Sequence, residues 1–311
     1  MGKRGTALLV AAVVGLGVAA GVDALRGDGD TVGGRAASTS DRTTTASAAQ
    51  KLARRQITGV LHFTVRVRPG QCALRSLALP GLEATSAVDV GSCRIATSLG
   101  GRVAAGSPCP RGNIVWVPSP TRPMLFEGCA PAWKPDGTLT FVWRGRLVEL
   151  VKGCTRPDPV DCLRGTPVRS HPGKAIRELA WLDDERVAVL VDGRGRVRSV
   201  FIYEAGLRRA GLGISFPGLS YLHPLGGRRA VVRSGTPPDG GIFFAFDQRG
   251  VFENDVPRFL ADGQALAVSP DGAWVASTRA GAVYIYRLGD RRPLDPIQID
   301  IDAVDLGWGT S

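Results

Sequence analysis

A phrase built around a tight turn recurs along the chain, and it constrains the fold more than any other sequence feature. It reads Ala-Trp-Lys-Pro-Asp-Gly at residues 132–137 and Ala-Val-Ser-Pro-Asp-Gly at residues 267–272. Degenerate copies are Ala-Trp-Leu-Asp-Asp-Glu at 180–185 and Ser-Tyr-Leu-His-Pro at 220–224. Proline presets φ, aspartate bonds the local backbone and glycine accepts a positive φ, so the phrase predicts a turn between two strands.

The spacing of the repeats indicates how many strands each unit contains. The large anchor positions 133, 181, 221, 268 and 308 are 48, 40, 47 and 40 residues apart. Four strands over this length are typical of one propeller blade. The 256 residues from 56 to 311 give about 43 for each of six blades. We therefore predict an all-β fold, a six-bladed β-propeller of four-stranded antiparallel blades, with blade boundaries near 84, 128, 176, 217 and 261.

The two ends of the repeat region complement each other. Residues 298–309 carry the anchor of a first strand, Trp308, and then the sequence stops, whereas residues 59–79 look like later strands without a first one. We expect the C-terminal strand to complete the blade that the N-terminal strands begin, which removes an exposed sheet edge and closes the ring. The weakest repeat covers residues 84–127.

The Pro-Asp-Gly phrases resemble the WD40-like repeats of TolB-like six-bladed β-propellers, and the resemblance covers roughly residues 57–310. Two copies are sharp, whereas Asp-Asp-Glu and His-Pro-Leu replace the turn in two others. TolB itself has a further domain before its propeller and is soluble in the periplasm. The resemblance therefore implies the fold, but neither its partner nor any functional residue is carried over.

The first 22 residues predict a membrane-spanning segment. Lys3 and Arg4 precede the uncharged residues 5–22, which would span about 27 Å as a helix, close to a hydrocarbon core. The basic start favours a cytoplasmic N-terminus and an extracytoplasmic body. A cleaved signal peptide is the alternative and would make the protein secreted, although cleavage motifs near residues 20–24 are mediocre. We predict a single-pass signal anchor at the cell membrane.

A linker comes after the predicted anchor. Residues 23–55 contain no aromatic side chain, and residues 27–48 are rich in Gly, Ser, Thr and Ala. Such a segment buries too little apolar surface to offset its ordering entropy. We predict a flexible linker at 23–55, within which residues 46–55 are compatible with a short helix.

Six cysteines agree with export, because an even number in an exported chain indicates disulfides. The candidate disulfide cysteines lie within 91 consecutive residues and are Cys72, Cys93, Cys109, Cys129, Cys154 and Cys162. Six cysteines allow 15 pairings, of which Cys154–Cys162 is the most local. Zinc is the competing interpretation, but the chain has no Cys-x-x-Cys spacing and no histidine near a cysteine at ligand spacing.

The net charge of the chain excludes few classes of binding partner. The chain has 39 basic and 28 acidic residues, a net charge of +11, which would attract polyanions. Arginine strongly outnumbers lysine, no run of five basic residues occurs, and nucleic-acid motifs are absent. We therefore predict no nucleic-acid partner.

No catalytic constellation is recognisable, since Gly-x-Ser-x-Gly, His-Glu-x-x-His, P-loop and EF-hand patterns are all absent. His62, His171 and His223 lie in different units. The recurring Asp136, Asp184 and Asp271 are explained by the turns they occupy. Asp300 and Asp302, with Asp305 nearby, offer a Ca²⁺ site as an alternative to a solvated strand face.

The sequence thus predicts no catalytic residue, cofactor or metal. The six tryptophans fit best as wedges between blades, although a binding surface is the alternative. We expect a membrane-tethered, extracytoplasmic, non-catalytic module that binds an unknown protein or ligand of the cell envelope. The alternative is a propeller-fold enzyme, such as a lyase, cyclase or hydrolase, with its site at a channel mouth. That alternative would need a cluster of carboxylates or histidines at one channel mouth, and convergence of Asp300, Asp302 and a histidine would favour it.

Overall fold

The computed structural model describes most of the region between residues 39 and 310. The described ranges are 39–85, 87–110, 114–117, 124–151, 162–165, 176–193, 197–204, 214–226, 228–234, 242–247, 252–253, 265–288 and 296–310. Within them, the chain forms one helix and 25 strands, which we number in chain order.

The strands form six antiparallel sheets, numbered here by their order along the chain. Sheet 1 contains β1 (Gly59–Arg68), β2 (Gln71–Leu79), β3 (Glu83–Ala84), β4 (Val88–Asp89) and the last strand, β25 (Asp305–Gly309). Sheet 2 contains β5 (Ile95–Thr97), β6 (Val103–Ala105), β7 (Ile114–Val117) and β8 (Met124–Glu127). Sheet 3 contains β9 (Cys129–Trp133), β10 (Leu139–Trp143), β11 (Arg146–Leu150) and β12 (Leu163–Gly165).

The remaining three sheets have the same meander. Sheet 4 contains β13 (Ile176–Trp181), β14 (Arg186–Asp192), β15 (Val197–Glu204) and β16 (Ile214–Pro217). Sheet 5 contains β17 (Leu219–Gly226), β18 (Arg229–Ser234), β19 (Ile242–Asp247) and β20 (Phe252–Glu253). Sheet 6 contains β21 (Leu266–Val268), β22 (Trp274–Arg279), β23 (Ala282–Arg287) and β24 (Ile297–Ile299).

One strand of each sheet faces a common axis. These six inner strands contact one another in a closed cyclic order, which is β5, β9, β13, β17, β21, β25 and again β5. Meandering sheets arranged in this way form a β-propeller, so the predicted propeller fold is confirmed.

The prediction of six four-stranded blades is wrong, because the described strands form five four-stranded blades. Sheets 2 to 6 are four-stranded, but sheet 1 has five strands because β4 adds to β2 beside β3. The five four-stranded sheets are therefore the regular blades, and sheet 1 is the irregular sheet that joins the two ends of the repeat region.

Strand β25 pairs with β1 along the register from Val60↔Gly309 to Thr64↔Asp305. Because β25 also contacts β5 and β21, the end of the sequence occupies the inner position of sheet 1. This is the closure that the two ends of the sequence predict, and it leaves the inner strand of sheet 1 paired rather than exposed.

Alternation along the strands explains how the sheets pack. In β14, Val187, Val189 and Val191 join the apolar cluster between sheets 3 and 4, whereas Ala188 and Leu190 join the cluster between sheets 4 and 5. Side chains of a strand alternate between its two faces, so a continuous apolar run buries both. The core therefore consists of layers between neighbouring sheets.

The helix α1 (Thr39–Arg54) corrects the predicted linker. Ala48 and Leu52, four residues apart, are buried in one cluster with Ile57 and residues of sheets 1 and 6. This apolar pair supplies the burial that the composition of the segment as a whole lacks. The predicted linker 23–55 therefore extends too far, and its residues 23–38 lie outside the described ranges.

Residues 1–22, the predicted signal anchor, also lie outside the described ranges. Among the residues that the structure describes, no helix has the length and apolar character needed to cross a membrane.

Two disulfides hold sheet 2. Cys72–Cys93 ties β2 to the segment before β5, and Cys109–Cys129 ties the segment after β6 to β9. Sheet 2, whose first two strands have only three residues each, is thus crosslinked to both neighbours. Each crosslink is expected to contribute about 2–4 kcal/mol. The expectation of disulfides is confirmed for these pairs; Cys162 is disulfide-bonded as well, whereas Cys154 lies outside the described ranges.

Candidate binding site at the channel mouth

A cavity of about 440 Å³ opens at one end of the axis, and we call it the mouth cavity. Residues from all six sheets line it, and they include Leu99, Trp133, Asp184, His223, Asp271 and Trp308. Its volume lies within the range of small-molecule sites and is also sufficient for a protruding side chain of a partner. The position on the axis results from the repeats, because each inner strand ends there in its turn.

Aspartates in the turns shape the rim of the mouth cavity. Asp136 Oδ1 accepts the Thr138 N–H at 2.7 Å, and Asp271 Oδ1 accepts the Ala273 N–H at 3.0 Å. Gly137 and Gly272 have positive φ angles of 81° and 70°, which the turn requires and glycine tolerates. The turn role expected for Asp136 and Asp271 is therefore confirmed.

The Asp-Asp-Glu copy of the turn differs from the expectation. Asp183 Oδ1 accepts the Glu185 and Arg186 N–H groups at 3.0 and 2.7 Å, so Asp183 rather than Asp184 holds this turn. Asp184 Oδ1 instead accepts the Asp136 N–H at 2.9 Å and links the turns of sheets 3 and 4. The residue that matches the repeat by position thus connects neighbouring blades.

Three indoles wall the cavity while their N–H groups bond elsewhere. Trp133 Nε1 donates to the Ala96 carbonyl at 3.1 Å, and Trp181 Nε1 donates to Thr140 Oγ1 at 2.8 Å. Both bonds cross to the preceding sheet, so these side chains are the inter-blade wedges that the sequence predicts. Trp308 Nε1 donates to the Thr58 carbonyl at 3.2 Å. All three residues therefore offer the cavity apolar surface only.

Below the mouth cavity, a group of interacting side chains occupies the axis; we call Arg94, Glu178, Tyr221 and Asp305 the axial cluster. Arg94 Nη2 lies 2.7 Å from Glu178 Oε1, and Arg94 Nη1 lies 3.6 Å from Asp305 Oδ1. The guanidinium carbon of Arg94 lies 4.2 Å from the centre of the Tyr221 ring. These contacts connect sheets 1, 2, 4 and 5 at their inner edges.

Backbone groups hold the axial cluster in place. Asp305 Oδ2 accepts the Ile95 N–H at 2.9 Å, and Glu178 Oε2 accepts the Leu222 N–H at 2.6 Å. Tyr221 has a φ of 61°, and the pairing of β17 with β18 shifts register beside it. Such a bulge redirects a side chain, and here the Tyr221 hydroxyl donates to the Leu266 carbonyl of sheet 6 at 2.7 Å.

The charges of the cluster depend on one another. Burial lowers the pKa of Arg94, but the carboxylates of Glu178 and Asp305 raise it by more, so Arg94 stays charged. Burial raises the pKa of Asp305 to about 6 even though Arg94 opposes that shift. Burial also raises the pKa of Tyr221. At neutral pH the cluster therefore contains one cation between two carboxylates.

His223 separates the two regions, because it lines both the mouth cavity and a cavity of about 40 Å³ beside the axial cluster. Its ring stacks on Tyr221 with the centroids 5.8 Å apart. Burial and the charge of Arg94 lower the pKa of His223 to about 3, so the imidazole is neutral. The floor of the mouth cavity is thus an uncharged ring.

The other candidate residues of the sequence do not come together in one site. His62 lies on β1 with Nδ1 2.7 Å from Ser76 Oγ, and burial lowers its pKa to about 4. His171 lies outside the described ranges. Asp300 accepts a bond from Gln298 and is exposed, as is Asp302, whereas Asp305 is buried against Arg94. Within the described ranges, no three His, Cys, Asp or Glu side chains are placed to hold a metal ion.

Sequence reasoning missed Arg94, Glu178 and Tyr221. Arg94 and Glu178 belong to no repeat copy, and Tyr221 matches only as an apolar anchor. A signal was present for Asp305 alone, since an acidic residue inside an apolar first strand is unusual.

Comparison with known proteins gives one kind of match. No protein-family model matches the sequence, and no curated protein matches it either. Among solved structures, the chain is similar to the β-propeller domain of Cps50 (Swd1) from Myceliophteria thermophila. The identity is 12% and the TM-score 0.48, over 81% of this chain and 90% of that chain.

Proposed function

We propose that this protein is a membrane-tethered, extracytoplasmic propeller that binds a protein or ligand of the cell envelope at the mouth cavity. The observation that carries the proposal is a cavity of about 440 Å³ to which all six sheets contribute. Residues gathered from the turns of a rigid scaffold are typical of binding sites. In this proposal, the recurring Pro-Asp-Gly turns support kinship with TolB-like propellers.

Two features support an extracytoplasmic location. The disulfides Cys72–Cys93 and Cys109–Cys129 form and persist in oxidising compartments. The basic residues before the apolar stretch 5–22 favour export of the rest of the chain. The helix α1 packs on the propeller, so a tether would begin before residue 39.

The axial cluster does not favour the enzymatic alternative. A raised pKa such as that of Asp305 is common at active sites, but it is also found in structural ion pairs. Glu178 Oε1 pairs with Arg94, and Glu178 Oε2 and Asp305 Oδ2 accept backbone N–H groups, whereas Asp305 Oδ1 has only the contact of 3.6 Å with Arg94. The adjoining cavity of about 40 Å³ has room for water but not for an organic substrate. A structural role accounts for these contacts.

Site-specific photocrosslinking in intact cells tests the proposed function. Leu99 lines the mouth cavity, whereas Leu125 lies on β8 at the outer edge of the same sheet, and both side chains are 54% exposed. A photoreactive amino acid at position 99 is expected to yield a discrete crosslinked product. The same residue at position 125 is the matched control and should yield little.

Equal products at both positions, or none at position 99, would refute binding at the mouth cavity.

Fractionation of the same cells tests location, because the full-length chain should sediment with membranes and resist reduction of its disulfides until the envelope is opened. Recovery of the chain in the cytosol with free thiols would contradict the envelope assignment.

A further inference from the structure

The charge of the mouth cavity differs in sign from that of the whole protein. Three carboxylates line it, those of Asp183, Asp184 and Asp271, against the two basic side chains Lys134 and Arg228. The chain as a whole has a net charge of +11. A region of opposite sign at an axial cavity would attract ligands that the rest of the surface repels.

Two of these five charged side chains are already paired within the protein. Lys134 Nζ lies 3.2 Å from Glu149 Oε1 and 4.8 Å from the centre of the Trp181 ring. Asp183 Oδ2 lies 3.8 Å from Arg186 Nη1. These two pairs neutralise one cation and one carboxylate of the lining. The carboxylates of Asp184 and Asp271 and the exposed side chain of Arg228 remain, which is an excess of one negative charge.

The two remaining carboxylates each have one oxygen engaged. The Oδ1 atoms of Asp184 and Asp271 accept the bonds that link and form the turns, at 2.9 and 3.0 Å from Asp136 N and Ala273 N. In the described part of the chain, neither residue forms an ion pair, and Oδ2 of each accepts no hydrogen bond. The hydrogen bond from Ser269 lowers the pKa of Asp271, which keeps that carboxylate charged.

Two of the three indoles that wall the cavity already carry a cation of the protein over their rings. Arg102 lies over the Trp133 ring at 4.8 Å, and Lys134 lies over the Trp181 ring at the same distance. Both rings are thus occupied by cations of the protein itself. Leu99, Pro270 and Trp308 remain as apolar surface beside the two open carboxylates.

We infer that the mouth cavity takes a basic side chain from an extended peptide segment of a partner protein. An ammonium or guanidinium group would pair with Asp184 or Asp271, while its methylene stem would cover apolar surface such as Leu99 or Trp308. His223 is neutral and adds no repulsion at the floor. The inference rests on the proposed function, because it names the chemistry of the partner at the same cavity.

Three labelled nonapeptides, in which serine alternates with lysine, glutamine or glutamate, test the inference by fluorescence anisotropy with the full-length protein. The lysine peptide is expected to bind about fivefold more tightly than the glutamine peptide, and the glutamate peptide least. Raising the salt concentration should narrow the difference in affinity between the peptides, because the carboxylates of Asp184 and Asp271 are exposed and salt screens their charge. Free cadaverine should compete weakly, since it lacks the peptide.

The double substitution Asp184→Asn and Asp271→Asn removes both charges and keeps the oxygens that hold the turns. It is expected to weaken binding of the lysine peptide about fivefold and to leave the glutamine peptide unaffected. Glu185→Gln is the matched control, since Glu185 is an exposed carboxylate next to Asp184 that does not line the cavity. Unchanged melting temperatures would show that all the variants remain folded.

Three results would overturn the inference: no peptide binds, the glutamate peptide binds as tightly as the lysine peptide, or the double variant behaves like Glu185→Gln. Cadaverine that binds as tightly as the lysine peptide would overturn the assignment to a peptide partner. A crosslink at position 99 together with any of these results would leave the proposed function intact. An absent crosslink would count against the function itself.

Discussion

Replacing Arg94 with methionine is expected to destabilise the protein by about 3–5 kcal/mol, since it leaves buried carboxylates without their cation. The side chains of Glu178 and Asp305 are only 15% and 3% exposed, and Arg94 is the cation between them. Chemical denaturation at pH 8, followed by tryptophan fluorescence, measures the loss. Because burial raises the pKa of Asp305 to about 6, the loss of unfolding free energy should be smaller at pH 5, where most of this carboxyl group is protonated.

Two further variants distinguish the stability that the ion pairs of Arg94 contribute from the stability that a cation gains by lying over an aromatic ring. Arg102→Met is the matched control, because Arg102 also lies over an aromatic ring, that of Trp133, but is exposed and has no buried carboxylate beside it. Its cost should be at most about 1 kcal/mol. Asp305→Asn in the Arg94→Met background should recover part of the loss. Equal costs for Arg94→Met and Arg102→Met would show that the axial cluster does not stabilise the ring.

Replacing Gly309 with alanine is expected to cost about 3 kcal/mol, because the added methyl group has no space. A Cβ atom at Gly309 would overlap the backbone of Gly101 in the hairpin between β5 and β6. Thr310 N also donates to the Leu99 carbonyl at 3.0 Å in that hairpin. The last strand must therefore approach sheet 2 closely for the ring to close, and thermal unfolding measures the cost.

Gly100→Ala provides the control for Gly309→Ala. A Cβ atom at Gly100 meets nothing within 4 Å, although the residue lies in the same hairpin. Its melting temperature should stay close to that of the unaltered protein. Similar melting temperatures for the two variants would mean that β25 does not press against sheet 2.

The turns and inner strands were predictable because they are local. Pro135, Asp136 and Gly137 specify their own backbone conformation, and the next strand is indicated by its β-branched residues. The closure of the ring at Trp308 was also predictable. The C-terminal segment contains a first strand without later strands, and the N-terminal segment contains later strands without a first one, so the two segments were expected to pair. These signals lie within a few residues of sequence or in the spacing of the repeats.

The axial cluster was not predictable, because its members are far apart in sequence and belong to four different sheets. Nothing near Arg94 shows that Glu178 and Asp305 will flank it, and that neighbourhood exists only once the ring has closed. The same limit explains the error at Asp184. Its bond to the Asp136 backbone joins two blades, so the repeat alone could not distinguish its role from that of Asp183.

The helix α1 shows a different limit. Averaged composition favoured a flexible linker, yet two apolar side chains four residues apart, Ala48 and Leu52, suffice when a complementary surface is present. That surface is built by residues hundreds of positions later in sheet 6. Tertiary packing thus decided the state of a segment whose own propensity is weak.

Hydrogen–deuterium exchange of the segment 304–310 tests the closed ring most directly, since the mouth cavity depends on it. The Val304 N–H donates to the Thr64 carbonyl at 2.8 Å, and β25 pairs with β1 along its length. The account predicts that these amides exchange as slowly as those of the inner strand β21. Exchange at the rate of an unstructured peptide, with β21 still protected, would contradict it.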